Sequence, residues 1–429
     1  MTDELIALVG AKEIGRVHRH ARGRLTFAYD DAWRNSAEAY PLSLSMSLGA
    51  KEHGPEVVEN FLWGLLPDNE MVLERWAKKF QISARNVFGL ISNVGEDCAG
   101  AVQFVRPDRA DAILGGREDG VDWLDEAELA SRLKALRDDH AAWRMPRDTG
   151  QFSLAGAQPK TAVLFIQGKW GIPRGRIPTT HILKPPTGAF DGHAENEHLC
   201  LRTARKLGLP TATTKVIEFR GEVAIAVERY DRAFSGRDIL RVHQEDMCQA
   251  LGLPPTRKYQ NEGGPSAADV ASLIRLYSGA RDEDIGRFVD AVLFNFLIAG
   301  PDAHAKNYSL LIGGAGRVRM APLYDIASIL PYDDYDLHKV KLSMKIGVEY
   351  GILDIRRRHI ERMAKDVKLP PDAVVERLKT LAEALPDAVS DEARIAAADG
   401  LNSHIIDRLV SRMAKRATAC LNLMEEPAA

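Results

Sequence analysis

AGPDAHAKNYSLL, from Ala299 to Leu311, and LYDIAS, whose Asp325 stands eighteen residues after Asn307, decide the reading of this chain. Asp302, Asn307 and Asp325 carry side-chain oxygens, and a hard cation such as Mg²⁺ prefers carboxylate and carboxamide oxygen to sulfur or imidazole. Asp302 and Asn307 are five residues apart, so one loop can offer both a group that orients a hydroxyl and a metal ligand. A loop of this composition after an apolar helix reads as machinery for moving a phosphoryl group. His304 has no second His or Cys at zinc spacing, so it is expected to pack inward and brace the loop. Lys306 is placed to neutralise the phosphate in transit.

With 429 residues the chain exceeds a single hydrophobic core, and two or three domains or lobes are expected. Apolar content of 45% and charged content of 27% are those of a soluble globular protein. A net charge of −3 and a pI near 6.5 give no overall drive toward nucleic acid or anionic membrane. The basic run Arg356-Arg357-Arg358 reads as a solvated helix face. Cys98, Cys200, Cys248 and Cys420 lie far apart without a CxxC pair, as thiols of a reducing compartment do. MTDELIALVG lacks the features of a secretory signal. The most apolar segment, Phe288 to Ala299, is broken by Asp290 and Asn295 and falls short of the ~20 residues of a membrane span. A cytoplasmic location without membrane contact is the expectation.

Three segments follow from texture: 1–107 as a β-rich module, 108–232 as a linker helix and mixed β lobe, and 233–429 as a helical lobe. GRLTFAYD (Gly23–Asp30) and PLSLSMSL (Pro41–Leu48) alternate apolar and polar positions, the period of a half-buried strand. FLWGLLPDN (Phe61–Asn69) is a buried segment closed by a turn, with a helix expected over Glu70–Lys79. Pro107 to Gly120 has the composition of a linker, and Trp123–Leu136 has helical spacing. TAVLFIQ and THILKPP flank a turn at Gly168–Lys169, Ala194–Leu207 is a helix stopped by Gly208 and Pro210, and two strands meet at Gly221. Past Val242 the chain reads as mainly helical.

A nucleotide kinase needs a phosphate cover, a cation, a hinge for the base and metal ligands; the Asp302–Asn307 interval is also that of the protein-kinase catalytic loop. The cover candidate is FSLAGAQPKTAV, where Ala155, Gly156, Ala157 and Gln158 let backbone N–H groups approach phosphate, bracketed by Ser153 and Lys160. It is not a Walker A motif. The cation candidate is Lys184 of THILKPP, with Glu195 or Glu197 as its orienting carboxylate; the sequence leaves that choice open. The hinge candidate is AIAVERYDR, with Glu228 and Tyr230 near adenine and Asp231 placed to reach ribose hydroxyls. His304 and Lys306 complete the nucleotide-binding set, and Asn307 and Asp325 are the metal ligands.

With these residues assembled, the sequence resembles the HipA family of serine/threonine-protein kinase toxins of HipBA toxin–antitoxin modules. Seven blocks in order carry the likeness: RLTFAYDDAW…PLSLSMSL…LLPDN…GAVQFV, SLAGAQPKTAV, THILKPP, VERYDR, RVHQEDMCQALGLPPTRKYQNEGGPS, LIAGPDAHAKNYSLL and PLYDIAS. The resemblance implies an α+β, two-lobe protein-kinase-like fold with a mixed β N-lobe, a helical C-lobe and an N-terminal β-rich subdomain. It implies ATP and Mg²⁺ as cofactors, Lys184 on the phosphates, Asp302 as catalytic, and autophosphorylation at Ser153. Phosphate there adds roughly −1.5 to −2 charges where triphosphate must lie, repelling the loop. Pro159 departs from the family pattern and removes a backbone donor. The implied role is growth arrest and persistence through phosphorylation of an aminoacyl-tRNA synthetase, glutamyl-tRNA synthetase first. A HipB-like helix-turn-helix antitoxin would hold the chain inactive and recruit it to operator DNA as co-repressor. The rival readings are an inactive nucleotide-binding scaffold of a repressor complex and a small-molecule kinase.

Overall fold

Strands β1 (Glu4–Val9), β2 (Lys12–Arg19), β3 (Leu25–Tyr29), β4 (Glu52–His53) and β5 (Val102–Val105) form an antiparallel sheet in the order β4-β3-β2-β1-β5. In this computed structural model the described residues are 3–145, 148, 152–186, 188, 192–236 and 238–425. The chain forms two compact units, Met1–Pro185 with Ile217–Pro255 and Ser309–Val318, and Pro186–Val216 with Thr256–Tyr308 and Arg319–Ala429.

In the first unit the alternation of Gly23–Asp30 becomes β3, burying Leu25, Phe27 and Tyr29. The similar alternation of Pro41–Leu48 does not become a strand. Leu42, Leu44 and Met46 are buried as the period requires, but the backbone turns between Ser43 and Met46. Tyr29 Oη supplies the pairing a strand would have given, donating to the Met46 carbonyl at 2.5 Å and accepting from Leu42 N at 2.8 Å. Ser43, expected on the polar face, is buried and donates to Glu245 Oε2 at 2.5 Å, while Leu44 N donates to Oε1 at 2.7 Å.

Burial pushes the Glu245 carboxyl up to about 8, against the pull of those two donors. The fold thus holds a proton that the unfolded chain releases, so this group weakens the fold as pH rises from about 4.5 toward about 8. Glu245→Gln is expected to remove the effect. Chemical denaturation at pH 5 and pH 8 should give the variant an advantage that grows with pH, on the order of 2 kcal/mol. A gap that does not widen would mean the carboxyl is ionised in the fold.

The helix Glu70–Phe80 forms as expected, its N-terminus capped by Asn69 of the PDN turn, whose Oδ1 accepts from Met71 N at 3.0 Å. Pro107–Gly120, expected as a linker, instead starts with a helix, Pro107–Leu114. Pro107 suits the first helical turn, and Ala110 and Ile113 pack on Ile6, Leu8 and Val105. The helix expected from Trp123 begins only at Glu126, because Asp125 and Glu128 form a capping box. Trp123 and Leu124 belong to strand β6 (Gly120–Leu124).

With β6, strands β7 (Thr161–Ile166), β8 (Lys169–Arg174), β9 (His181–Lys184), β10 (Thr214–Phe219) and β11 (Glu222–Glu228) make a second sheet, ordered β10-β11-β9-β7-β8-β6. Gln167 and Gly168, with φ of 51° and 75°, make the tight turn from β7 to β8. The helix Glu126–Asp138 lays Leu129 and Leu133 on Val163, Ile172, Leu183, Ala224 and Ala226. On the other strand face, Lys184 ends β9 opposite Ile225 of β11.

The second unit is mostly helical: His193–Lys206, Ala267–Tyr277, Arg281–Leu297, Arg357–Asp366, Pro371–Ala398 and His404–Glu425. Arg281–Leu297 is the central helix, apolar on nearly every side past its first turns, with Phe288, Phe294 and Phe296 fully buried. Each such ring contributes roughly 2–3 kcal/mol of burial. The expectation of a mainly helical stretch past Val242 needs one correction. His243–Asp246, Ser309–Gly313 and Arg317–Met320 form a three-stranded sheet, and Lys341–Ile346 pairs with Glu349–Gly351. Among the described residues, no helix is long and apolar enough to cross a membrane.

Candidate active site

The AGPDAHAKNYSLL stretch leaves the helix Arg281–Leu297 through an abrupt stop. Arg416, buried on the helix His404–Glu425, caps that end by donating Nε and Nη2 to the Phe296 carbonyl at 3.1 and 2.8 Å. Ala299 turns left-handed at φ 52°, and Gly300 passes so close to Asn295 that a Cβ would stand 2.6 Å from Oδ1. The Pro301 carbonyl then accepts from Ser343 N and Oγ at 3.0 and 2.6 Å.

The loop closes on itself. The Asp302 carbonyl accepts from His304 N at 2.9 Å and from Asn307 Nδ2 at 2.7 Å, and Asn307 N donates to the His304 carbonyl at 2.9 Å. Neighbours hold it from outside: Ala305 N donates to the Lys258 carbonyl at 3.1 Å, and Tyr324 Oη to the Lys306 carbonyl at 2.7 Å. The result is a rigid loop whose tip projects Asp302, its side chain 69% exposed. His304 is buried edge-on to Tyr259, ring centres 5.0 Å apart, bracing the loop as expected. Lys306 and Asn307 are buried.

Asn307 meets a chemical requirement for Mg²⁺. Only its NH₂ can donate to the Asp302 carbonyl, so that bond leaves the carboxamide oxygen, the atom a hard cation takes, pointing elsewhere. Asp325 supplies a carboxylate from a left-handed residue at φ 57°, a conformation that costs on the order of 1 kcal/mol and gathers at functional sites. The chain around it is clamped. Leu323 N donates to the Pro210 carbonyl at 2.8 Å, and Ser328 exchanges bonds with Asn196 at 3.0 and 2.7 Å. Ile329 N then donates to the Ala299 carbonyl at 3.1 Å and Ser328 Oγ to the Ile298 carbonyl at 2.5 Å. These bonds bind the stretch carrying Asp325 to the root of the loop carrying Asp302 and Asn307. Among the described residues no group of three His, Cys, Asp or Glu has metal-binding geometry; the candidate set instead joins a carboxamide to a carboxylate.

Of the two carboxylates on the helix His193–Lys206, Glu197 is fully buried while Glu195 is half-exposed. Asn196 between them is the residue bonded to Ser328.

The remaining candidates lie in the first unit. Lys184 is 6% exposed. The expected phosphate cover is not a strand hairpin. Phe152 makes one bridge to Asp97, and residues 153–160 run irregularly into β7. Backbone bonds pin the loop, Ser153 N to the Asp97 carbonyl and Asp68 N to the Gly156 carbonyl, both 3.0 Å. Gly156 sits at φ +103°, and a Cβ there would meet Lys160 Nζ at 2.6 Å. Lys160 itself donates to the Ala155 carbonyl at 2.6 Å and is buried near Trp143. Ala155, Gly156, Ala157 and Gln158 are the accessible tip. Ser153, expected at the loop edge, has zero exposure and donates its hydroxyl to the Leu65 carbonyl at 2.7 Å.

The hinge candidates divide. Glu228 ends β11 half-buried opposite His181, and the Tyr230 hydroxyl is bonded to Gln244 Oε1. Asp231 is not placed to reach a ribose. It is buried, accepting from Arg229 Nε and Nη2 at 3.0 and 2.9 Å and from Gly100 N at 2.7 Å. Burial alone would raise its carboxyl, but Arg229 and Arg232 prevail and hold it at about 2. The same cluster contains Asp97, which accepts from Arg232 Nη2 at 2.8 Å and Thr179 Oγ1 at 2.6 Å. Burial opposes ionisation there too, yet Arg232, Arg241 and Arg229 hold the carboxyl far below the usual range.

Comparison with known proteins agrees with this architecture. Residues 5–105 match the profile of the HipA N-terminal domain and residues 152–389 that of the HipA-like C-terminal domain. A putative kinase, Y4mE, of Sinorhizobium fredii is 34% identical over 383 residues, 88% of this chain and 89% of the relative. The serine/threonine-protein kinase toxin HipA of Shewanella oneidensis is 30% identical over 386 residues, covering 85% and 84%. The structure of Shewanella oneidensis HipA, solved with HipB and operator DNA, superposes with a TM-score of 0.83 at 24% identity over 98% of both chains, which establishes the expected α+β fold. Matching N- and C-terminal domain profiles, kinase relatives alike over more than four-fifths of the chain and a common fold place the chain in the HipA family of serine/threonine-protein kinases.

Proposed function

We propose that this chain transfers the γ-phosphoryl group of ATP to a serine of a protein, that the target is an aminoacyl-tRNA synthetase with glutamyl-tRNA synthetase the first choice, and that growth arrest follows. The observation that supports this best is the closed loop in which Asn307 is turned by the Asp302 carbonyl while the Asp302 carboxylate stands exposed.

Asp302 orients the serine hydroxyl and takes its proton. The serine oxygen bonds to the γ-phosphorus, the bond to the β,γ-bridging oxygen breaks, and ADP leaves with that electron pair. Asn307 and Asp325 would hold Mg²⁺, which when bound neutralises phosphate charge. Lys184 and the Ala155–Gln158 tip bind the phosphates, Lys160 shapes that tip, and Glu228 and Tyr230 present hinge backbone to adenine. Lys306 and His304 support the loop from beneath. Asp231 is left out, being engaged by arginines.

Autophosphorylation of Ser153 would be self-limiting. A group of roughly −1.5 to −2 charges cannot return to a site with zero exposure, so the cover would stay open. By analogy with the relative solved with HipB and operator DNA, a helix-turn-helix antitoxin would restrain the chain and carry it to its operator.

Expression without the antitoxin should arrest growth and add phosphate to Ser153 and to a synthetase serine, as read by phosphosite mapping. Arrest that persists in Asp302→Asn would support the scaffold reading instead. Phosphate recovered only on metabolites would support the small-molecule kinase.

A further inference from the structure

The run RVHQEDMCQALGLPPTRKYQNEGGPS carries no chemistry in the assignments above, yet Lys258 to Gln260 border the Asp302 loop. The Lys258 carbonyl receives Ala305 N, and Tyr259 Oη donates to Asp302 Oδ1 at 2.9 Å. Gln260 Oε1 accepts from Lys345 N at 2.7 Å, in the strand whose Ser343 holds the Pro301 carbonyl. The Tyr259 ring is fixed in turn, edge-on to His304 and with Lys258 Nζ 5.4 Å from its centre.

An exposed aspartate turns easily about its last torsion, a broad and shallow rotation. A donor on one oxygen restricts that rotation and decides which oxygen faces the substrate. We infer that Tyr259 is a positioning residue for phosphoryl transfer: its hydroxyl holds Oδ1 of Asp302 and so fixes the orientation in which the carboxylate meets the incoming serine. The inference rests on the phosphotransfer role proposed for Asp302 and adds to it a residue outside the loop.

Tyr259→Phe tests it, since the ring contacts with His304 and Lys258 survive and only the donor is lost. Autophosphorylation of the full chain, measured in single turnovers over a range of MgATP, gives a limiting rate and a half-saturating concentration. The limiting rate should fall about ten-fold or more, with half-saturation changed less than about two-fold and the melting temperature unmoved. Tyr259→Ala, which also takes away the ring, should lower rate and melting temperature together. A Tyr259→Phe chain at the wild-type rate, or one whose rate loss is matched by raised half-saturation, overturns the inference. Asp302→Asn in the same assay separates the two layers. If it is inactive while Tyr259→Phe is normal, only the positioning role fails. If Asp302→Asn is fully active, or the wild-type chain takes up no phosphate, the reading beneath fails.

Discussion

Asp302→Ala should lose phosphotransfer by about 10³-fold, the scale set by removing a positioned acid–base group, while the fold keeps its melting temperature. The contrast arises from where the side chain sits. Asp302 is 69% exposed and its carboxylate accepts a bond from Tyr259, so its loss opens no cavity. The loop's shape depends on the Asp302 carbonyl, which alanine retains. Incorporation of labelled phosphate from MgATP, beside a thermal melt, reads both halves. An alanine variant that still phosphorylates within a few-fold of wild type would remove Asp302 from the chemistry and with it the proposed mechanism.

Asp97→Ala should have the opposite signature, a loss of stability on the order of 3–5 kcal/mol. Asp97 is 7% exposed and receives Arg232, Arg241 and Thr179, with Arg229 at 3.7 Å. Removing it leaves guanidinium groups buried without their counter-charge, a far larger penalty than losing a surface ion pair. The pH dependence has a definite sign. Asp97 and Asp231 are both held below the ordinary carboxylate value, Asp231 at about 2. Their contribution is therefore present above the unfolded carboxylate range near ~4 and is lost as pH falls through the folded values. Denaturant midpoints should differ most between variant and wild type at neutral pH, and the gap should narrow below about pH 4. A variant within about 1 kcal/mol of wild type at pH 7 would mean the cluster carries no net stabilisation.

Legibility from sequence followed the range of the interaction involved. The helix Glu70–Phe80 was readable because its cap, Asn69, is the residue before it. The β7–β8 hairpin was readable because its turn is two adjacent residues. PLSLSMSL misled because alternation reports which residues are buried, and Leu42, Leu44 and Met46 are. Whether such a segment is a strand depends on its backbone partners, here Tyr29 and Glu245, the latter 201 residues from Leu44. The Pro107 segment looked like a linker by composition, although two residues, Ala110 and Ile113, suffice to seat a helix on β1 and β5. Tyr259 carries no signal in the sequence, because nothing near it announces a bond to a residue 43 positions away.

The family, local elements such as the helix Glu70–Phe80 and the β7–β8 hairpin, and the oxygen-rich loop with Asp302, Asn307 and Asp325 were determined by the sequence on its own. Each is written in short windows, where hydrogen bonds and side-chain periodicity act over a few residues. Folding in three dimensions decided the rest. It buried Ser153, engaged Asp231 with Arg229, enclosed Glu197 rather than Glu195, and set a tyrosine on the carboxylate of Asp302. Burial and ion pairing depend on groups brought together from distant parts of the chain, and the free energy of a polar side chain is set by that company rather than by its neighbours in sequence.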